Sequence, residues 1–317
     1  MKLSRHQLRD RGLRFRSLFD QHCPQFVEEI EGLGEGAGIS FEDAMAVNIR
    51  GALDKASHGG CTAFVVAGRG TIDGQVLIGQ NSDMLPAMMD LAYVLQLKPK
   101  DKPHVMMWTF GGMIGYSGIN VCGVGHFAND LGGGPPPRFG MPHYPLKRLM
   151  LECTTLEEVR RLIRRIPLWA NGNYVLCDGR GDILDIEATT QGPGYLTDNG
   201  AGFIAHTNHF VSRQFATAES RRRSAPDSFA RLERMNKLIR SRFGKLSVND
   251  LKTFLRDRDG DPSGICRFAQ TTDATADWVT AGMTIASIIA EPAKGRLHIA
   301  AGNESETPFE LYRMDAV

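Results

Sequence analysis

Two short runs, Ala63-Phe64-Val65-Val66-Ala67 and Gln75-Val76-Leu77-Ile78-Gly79, stand either side of a glycine-rich turn. Runs of this length, largely apolar and bounded by glycine, predict an antiparallel β-hairpin. The same pattern predicts strands at 92–97, 104–110, 120–127, 173–177, 182–187 and 202–206. It also predicts a closing hairpin, Thr284–Ala290 with Arg296–Ala300, turning at Glu291-Pro292-Ala293-Lys294-Gly295. Residues 1–57 read as helical. Gln25 to Ile30 has helical spacing, Glu31 to Gly38 is a glycine-broken turn, and Ser40-Phe41-Glu42-Asp43 opens a helix with Asp43 as capping-box partner. Leu146, Leu149, Leu156 and Leu162 predict one helical stretch from Tyr144 to about Ile166, and two more helices fall at about 228–242 and 248–256. This order lacks the strand–helix alternation of a parallel sheet. It predicts an α+β fold, two antiparallel sheets sandwiched by helices, with no internal repeat and no linker.

At 317 residues and 42% hydrophobic, the chain has ample material for a core. Its 37 basic and 36 acidic residues exert no global pull toward nucleic acid or an anionic membrane. The apolar runs fall short of the ~20 residues that span a bilayer. Met1-Lys2-Leu3-Ser4-Arg5-His6 has no apolar signal core, and its arginine-rich continuation reads as an exposed helix face. The six cysteines (Cys23, Cys61, Cys122, Cys153, Cys177 and Cys266) include no C-x-x-C pair, which points to a reducing compartment and a cytoplasmic location. No cofactor is expected. His206 and His209 lack a nearby third metal ligand. The calcium-like run from Asp257 has Pro262 where glycine is needed and Phe268 where glutamate is needed. Gly112-Met113-Ile114-Gly115 precedes a strand, so it is not a dinucleotide loop. Gly132 to Pro137 reads as a stiff surface loop, and Arg221-Arg222-Arg223 as a solvated run whose functional alternative is a phosphate clamp for coenzyme A.

The chemistry concentrates at Gly59-Gly60-Cys61-Thr62, which heads the first strand, and at Gln80-Asn81-Ser82-Asp83, which follows the second. A hairpin brings these two ends together. A free thiol with a pKa of about 8.5 needs a base to become a nucleophile. The α-amine of a cysteine at a chain start titrates at about 7.7–8 and is such a base. In an uncut chain that nitrogen is an amide and cannot accept a proton, so activity requires scission between Gly60 and Cys61.

Gly60-Cys61-Thr62, Gly79-Gln80-Asn81-Ser82-Asp83, Gly118 to Val124, His206-Thr207-Asn208-His209, Pro226-Asp227-Ser228-Phe229 and Ser263-Gly264-Ile265-Cys266-Arg267 occur in an order and spacing that cover nearly the whole chain. In these motifs the chain resembles the acyl-coenzyme A:isopenicillin N acyltransferase-like branch of the N-terminal-nucleophile hydrolases. The resemblance implies a four-layer αββα fold and self-cleavage at Gly60–Cys61. The products would be a mostly helical α chain, residues 1–60, and a catalytic β chain, residues 61–317, which stay associated as a heterodimer. It implies Cys61 as nucleophile for self-cleavage and turnover, and Asp83 as holder of the new α-amine. Asn208 is implied as oxyanion donor, and Arg267 as a cation that favours thiolate or orients a carboxylate. The implied activity is that of a cysteine amidohydrolase or acyltransferase acting through an acyl-enzyme on a small acyl amide or acyl-coenzyme A, with water or an amine as acceptor. Ser82 stands where the family usually has an aromatic residue, so the family's best-known substrate is not carried over. The reading from another class is a non-catalytic small-molecule-binding relative on the same fold.

Overall fold

The computed structural model describes residues 3–53, 60–223, 226–273, 276, 278–303 and 307–315. Its strands, in chain order, are β1 (Gly60–Val66), β2 (Leu77–Met84), β3 (Ala92–Leu97), β4 (Val105–Phe110), β5 (Ser117–Asn120), β6 (Gly125–Asp130), β7 (Gly172–Cys177), β8 (Ile183–Thr189), β9 (Gly192–Leu196), β10 (Phe203–His206), β11 (Met283–Glu291), β12 (Arg296–Ala301) and β13 (Glu310–Arg313). They form two antiparallel sheets, β10-β1-β2-β11-β12-β13 and β3-β4-β5-β6-β7-β8-β9.

Side-chain alternation along β1 explains the layering. Ala63 and Val65 enter the core between the sheets with Ile78, Trp108, Phe127, Val175 and Ile288. Phe64 and Val66 face the other way, against Met235, Ile239, Leu251 and Leu255 of the helices Pro226–Arg242 and Val248–Leu255. The outer face of the second sheet is covered by Phe19, Phe26, Ile30 and Met45 from the N-terminal helices, together with Leu146, Met150, Val159 and Ile163. Four layers, αββα, result. Among the described residues no helix is long and apolar enough to cross a membrane.

Four sequence expectations are corrected. The strand foreseen at 120–127 is two strands, and the helix foreseen from Tyr144 to Ile166 is two helices, His143–Leu151 and Leu156–Arg165. Asn120 contributes to both breaks. Its Oδ1 accepts the N–H groups of Cys122 and Val124, closing a tight turn in which Gly123 takes φ +82°, and its Nδ2 donates to the carbonyls of Leu151 and Cys153 where the first helix ends. Thr155 then caps the second helix by accepting from the Glu158 N–H. Thirdly, Ser40 accepts from the Asp43 N–H as foreseen, but the Asp43 carboxylate goes to Arg5 and Arg9 instead of completing a capping box. Fourthly, the glycine-broken turn foreseen from Glu31 to Gly38 is the second half of a single helix, Pro24–Ala37, which ends at Gly38 with φ +65°; Gly34 is kept helical by burial close against Ile39, Ser40 and Ala44. Otherwise the expected helical character of residues 1–57 holds from Arg5 to Leu53; residues 1–2 and 54–57 lie outside the described residues.

Candidate active site

The β1–β2 pairing sets Gly60 opposite Asp83 and Cys61 opposite Ser82. The second strand runs on to Met84, so Asp83 is held by the sheet and does not follow it in a turn. By the alternation of β1, Cys61 turns toward the inter-sheet side and Thr62 toward the helix Pro226–Arg242. Gln80 lies beside the thiol, its Nε2 at 3.6 Å from Cys61 Sγ, and its Oε1 accepts the Ala128 N–H at 3.0 Å, which fixes the amide's orientation.

The backbone of Cys61 is held on every side. Its N–H donates to Asn208 Oδ1 at 3.0 Å. Its carbonyl accepts from Arg231 Nη1 at 2.8 Å and from Asn129 Nδ2 at 3.0 Å. The same buried guanidinium donates to Thr62 Oγ1, to Asn208 Oδ1 and, through Nε, to Asp227 Oδ2. Its rigid fork thus ties β1, the segment after β10 and its own helix to one residue. Asn208 Nδ2 donates to the Asp130 carbonyl at 3.0 Å, and the Asn208 backbone N–H donates to Ser228 Oγ at 2.8 Å.

Asp83 is buried. Its Oδ1 accepts from Thr284 Oγ1 at 2.7 Å, and its Oδ2 has no hydrogen-bond partner. Burial raises its carboxyl to about 6, against the pull of Arg231, the Thr284 hydrogen bond and Arg267. Burial, and then the nearby Asp83 charge, push the Cys61 thiol up to about 12, against the opposing charges of Lys147 and Arg231. In the continuous chain the thiol is therefore protonated at neutral pH, beside a carboxylate with an oxygen to spare.

The structure brings Gly60, Cys61, Asp83 and Asn208 together. Arg267 lies one step further out: its Nη1 meets Asp227 Oδ2 at 3.3 Å, its Nε donates to the Gly282 carbonyl, and its backbone N–H donates to Thr284 Oγ1, the hydroxyl that serves Asp83. Sequence reasoning did not single out Arg231, Asn129, Gln80 or Lys147. Gln80 and Asp227 stood inside recognised motifs without an assigned role, and nothing in the local pattern marks Arg231 off from the other arginines of its helix.

A second buried polar cluster lies between the sheets, where His206 of β10 meets β8. His206 Nε2 is 3.0 Å from Glu187 Oε1, and Glu187 also accepts from the backbone N–H groups of Val211 and Ser212 and from Ser212 Oγ. These donors hold the Glu187 carboxyl below its ordinary range despite burial. Asp185, alongside, has neither oxygen hydrogen-bonded and is raised by burial to about 7. His209 turns instead to Ser228 Oγ and stacks on Phe229 at 3.9 Å. The described residues hold no group of three or more His, Cys, Asp or Glu side chains arranged to bind a metal ion.

The profile of the family described as acyl-coenzyme A:6-aminopenicillanic acid acyl-transferase matches residues 71–306, a span that includes Asp83, Asn208 and Arg267 and begins beyond Cys61. The 40 kDa form of acyl-coenzyme A:6-aminopenicillanic-acid-acyltransferase from Emericella nidulans is 26% identical over 253 residues, which cover 78% of this chain and 68% of that protein. A variant of conjugated bile acid hydrolase from Clostridium perfringens superposes with a TM-score of 0.59 at 12% identity, over 80% of this chain and 92% of its own. Penicillin V acylase from Agrobacterium tumefaciens superposes with a TM-score of 0.50 at 13% identity, over 80% and 86%. The two structures share the fold foreseen from the sequence motifs. The chain belongs to the acyl-coenzyme A:6-aminopenicillanic acid acyl-transferase family and is an acyl-transferring or amide-hydrolysing enzyme with the N-terminal-nucleophile hydrolase fold.

Proposed function

We propose that this chain is the uncut form of an autoproteolytic cysteine amidohydrolase or acyltransferase. In self-cleavage Cys61 Sγ attacks the Gly60 carbonyl carbon. The S–C bond forms, the C–N bond breaks, and the thiol proton passes to the departing nitrogen. Water then hydrolyses the thioester, releasing the Gly60 carboxylate and regenerating the thiol beside a free α-amine. In turnover that amine takes the thiol proton as Sγ attacks the substrate carbonyl, and the proton goes to the leaving amine or coenzyme A thiolate. Water or an amine then collects the acyl group from sulfur.

One observation carries this reading: a strand-heading cysteine is clamped by its own N–H and C=O, and the residue paired across from its predecessor is a buried carboxylate with an unpartnered oxygen. An α-ammonium at Cys61 would supply the missing donor. In this reading Asp83 holds the amine, and the second N–H of Asn208 Nδ2 serves the oxyanion. Arg267 keeps Asp227 and the Asp83–Thr284 pair in place. Residues 1–60 remain attached after the cut, because Phe19, Phe26, Ile30 and Met45 are fully buried against the β-chain sheet and helices. The six unpaired cysteines support a reducing, cytoplasmic setting.

Intact-mass measurement tests the proposal. Wild-type protein should resolve under denaturing conditions into fragments 1–60 and 61–317, and Cys61→Ala should remain one chain. A wild-type chain that stays whole, and whose Cys61 fails to react with an acylating probe, would instead favour a binding protein on the same scaffold.

A further inference from the structure

Lys147 is more than nine-tenths buried, and its ammonium has neither a hydrogen bond nor an ion pair among the described residues. It projects from the helix His143–Leu151, whose Lys147 carbonyl accepts from His126 Nε2. The helix comes close because position 115 is glycine: a Cβ there would strike the Tyr144 carbonyl and the Arg148 Cβ. Lys147 Nζ lies 3.8 Å from the centroid of the Tyr116 ring and 5.7 Å from that of Tyr144. The Tyr116 hydroxyl and the Lys147 ammonium both lie within electrostatic reach of the Cys61 thiol. Arg50, half-buried, lies 5.2 Å from the Tyr144 ring centroid, donates to the Tyr144 hydroxyl, and also has no carboxylate partner among the described residues. Asp130 is the carboxylate whose charge reaches Lys147. A buried ammonium left unpaired carries a desolvation cost that structures do not usually leave uncompensated. Burial also lowers this one to about 8, so it is still largely charged at neutral pH.

We propose that Lys147 is the specificity-determining cation of this site, and that the acylated substrate carries a carboxylate that lands on it against the Tyr116–Tyr144 wall. The proposal rests on Cys61 being the nucleophile. It adds the chemical class of what the thiol attacks: acyl amides bearing an anionic group, in preference to neutral ones. Because Arg50 belongs to the N-terminal segment, the segment removed from the β chain by cleavage would still contribute to the wall.

The test is alkylation of Cys61 in processed enzyme by iodoacetate and by iodoacetamide, located by peptide mapping. Each reagent loses iodide to the sulfur, and the two differ in carrying a carboxylate or a neutral amide. Their rate ratio cancels any change in thiol ionisation. Relative to a small thiol in solution, the wild-type ratio should favour iodoacetate by about tenfold, declining with added salt. Lys147→Met should bring the ratio down to the solution value, and Lys147→Arg should retain most of it. If Lys147→Met slows both reagents equally, the lysine serves only the thiol's ionisation and the proposal falls. A wild-type ratio at or below that of the solution thiol overturns it without any variant, as does a Cys61 closed to both reagents. The readout needs no amide turnover. An enzyme that cleaves itself but ignores the charge would sink this inference alone, and a charge-selective thiol in a chain that never cuts would sink the acyl-enzyme reading alone.

Discussion

Two buried polar clusters lie close together, and they resolve their charge in opposite ways. Around His206 the charge is balanced internally: Glu187 takes the imidazole, two backbone N–H groups and a serine hydroxyl, and Asp185, with no hydrogen bond to either oxygen, meets its burial by holding a proton up to about pH 7. Around Cys61 the balance is left open. Arg231 and Arg267 face Asp83 and Asp227, one oxygen of Asp83 has no donor, and Lys147, on the other side of the charge balance at the thiol, has no hydrogen-bond acceptor among the described residues. A closed network of this kind stabilises the meeting of two sheets. An open one keeps groups ready for partners that arrive with the chemistry.

Breaking the closed cluster gives the largest effect. Glu187→Gln removes the charge that His206 and three further donors converge on, and should cost about 3–5 kcal/mol in urea unfolding of the uncut Cys61→Ala chain. The Cys61 alkylation ratio, measured on the processed Glu187→Gln protein, should not move, since none of these groups reaches the thiol.

Asp185→Asn should have the opposite sign. The folded chain holds a proton on Asp185 that the unfolded chain releases in the ordinary carboxylate range. Wild-type stability from this group is therefore full at low pH and is lost as pH rises through about 7. Asparagine cannot ionise, so the variant should gain on the order of 3 kcal/mol at pH 8 and nothing near pH 3.5. Self-cleavage should be untouched. Equal stability of wild type and variant at both pH values would break the contrast between the clusters.

The matched change in the open cluster, Asp83→Asn, sharpens it. Stability at pH 8 should again rise, because the Asp83 carboxyl is raised to about 6 by the same cause. Self-cleavage should nevertheless slow by about a hundredfold, equivalent to about 2.7 kcal/mol of barrier. In wild type, processing followed by intact mass should accelerate as pH rises through about 6, where Asp83 ionises, and the variant should lose that limb.

The hairpin that joins Cys61 to Asp83 was readable because two short, largely apolar runs bounded by glycine, with a glycine-rich turn between them, favour an antiparallel pairing. The closing hairpin at Pro292 to Gly295 was readable for the same reason. Thr155-Leu156-Glu157-Glu158 carried a helix-start signal that was masked by the leucines on either side, so two helices read as one. Asn120 was harder. Its part in closing a turn depends on local spacing, but its hold on the Leu151 and Cys153 carbonyls depends on a contact across the fold. Arg231 and Lys147 lay beyond what local pattern reaches. Each sits on a helix among ordinary neighbours, and only the packing of that helix on distant strands separates it from a solvated cation.

The depth at which Phe19, Phe26, Ile30 and Met45 are packed has a practical corollary. A gene fragment begun at codon 61 would encode the right amino group at its head, yet its translation product would present a raw greasy face of the seven-stranded sheet to water. Under the proposed self-cleavage, supplying the amine is not the same as supplying the enzyme: the leader would be part of the finished body, and recombinant production would have to begin upstream of it.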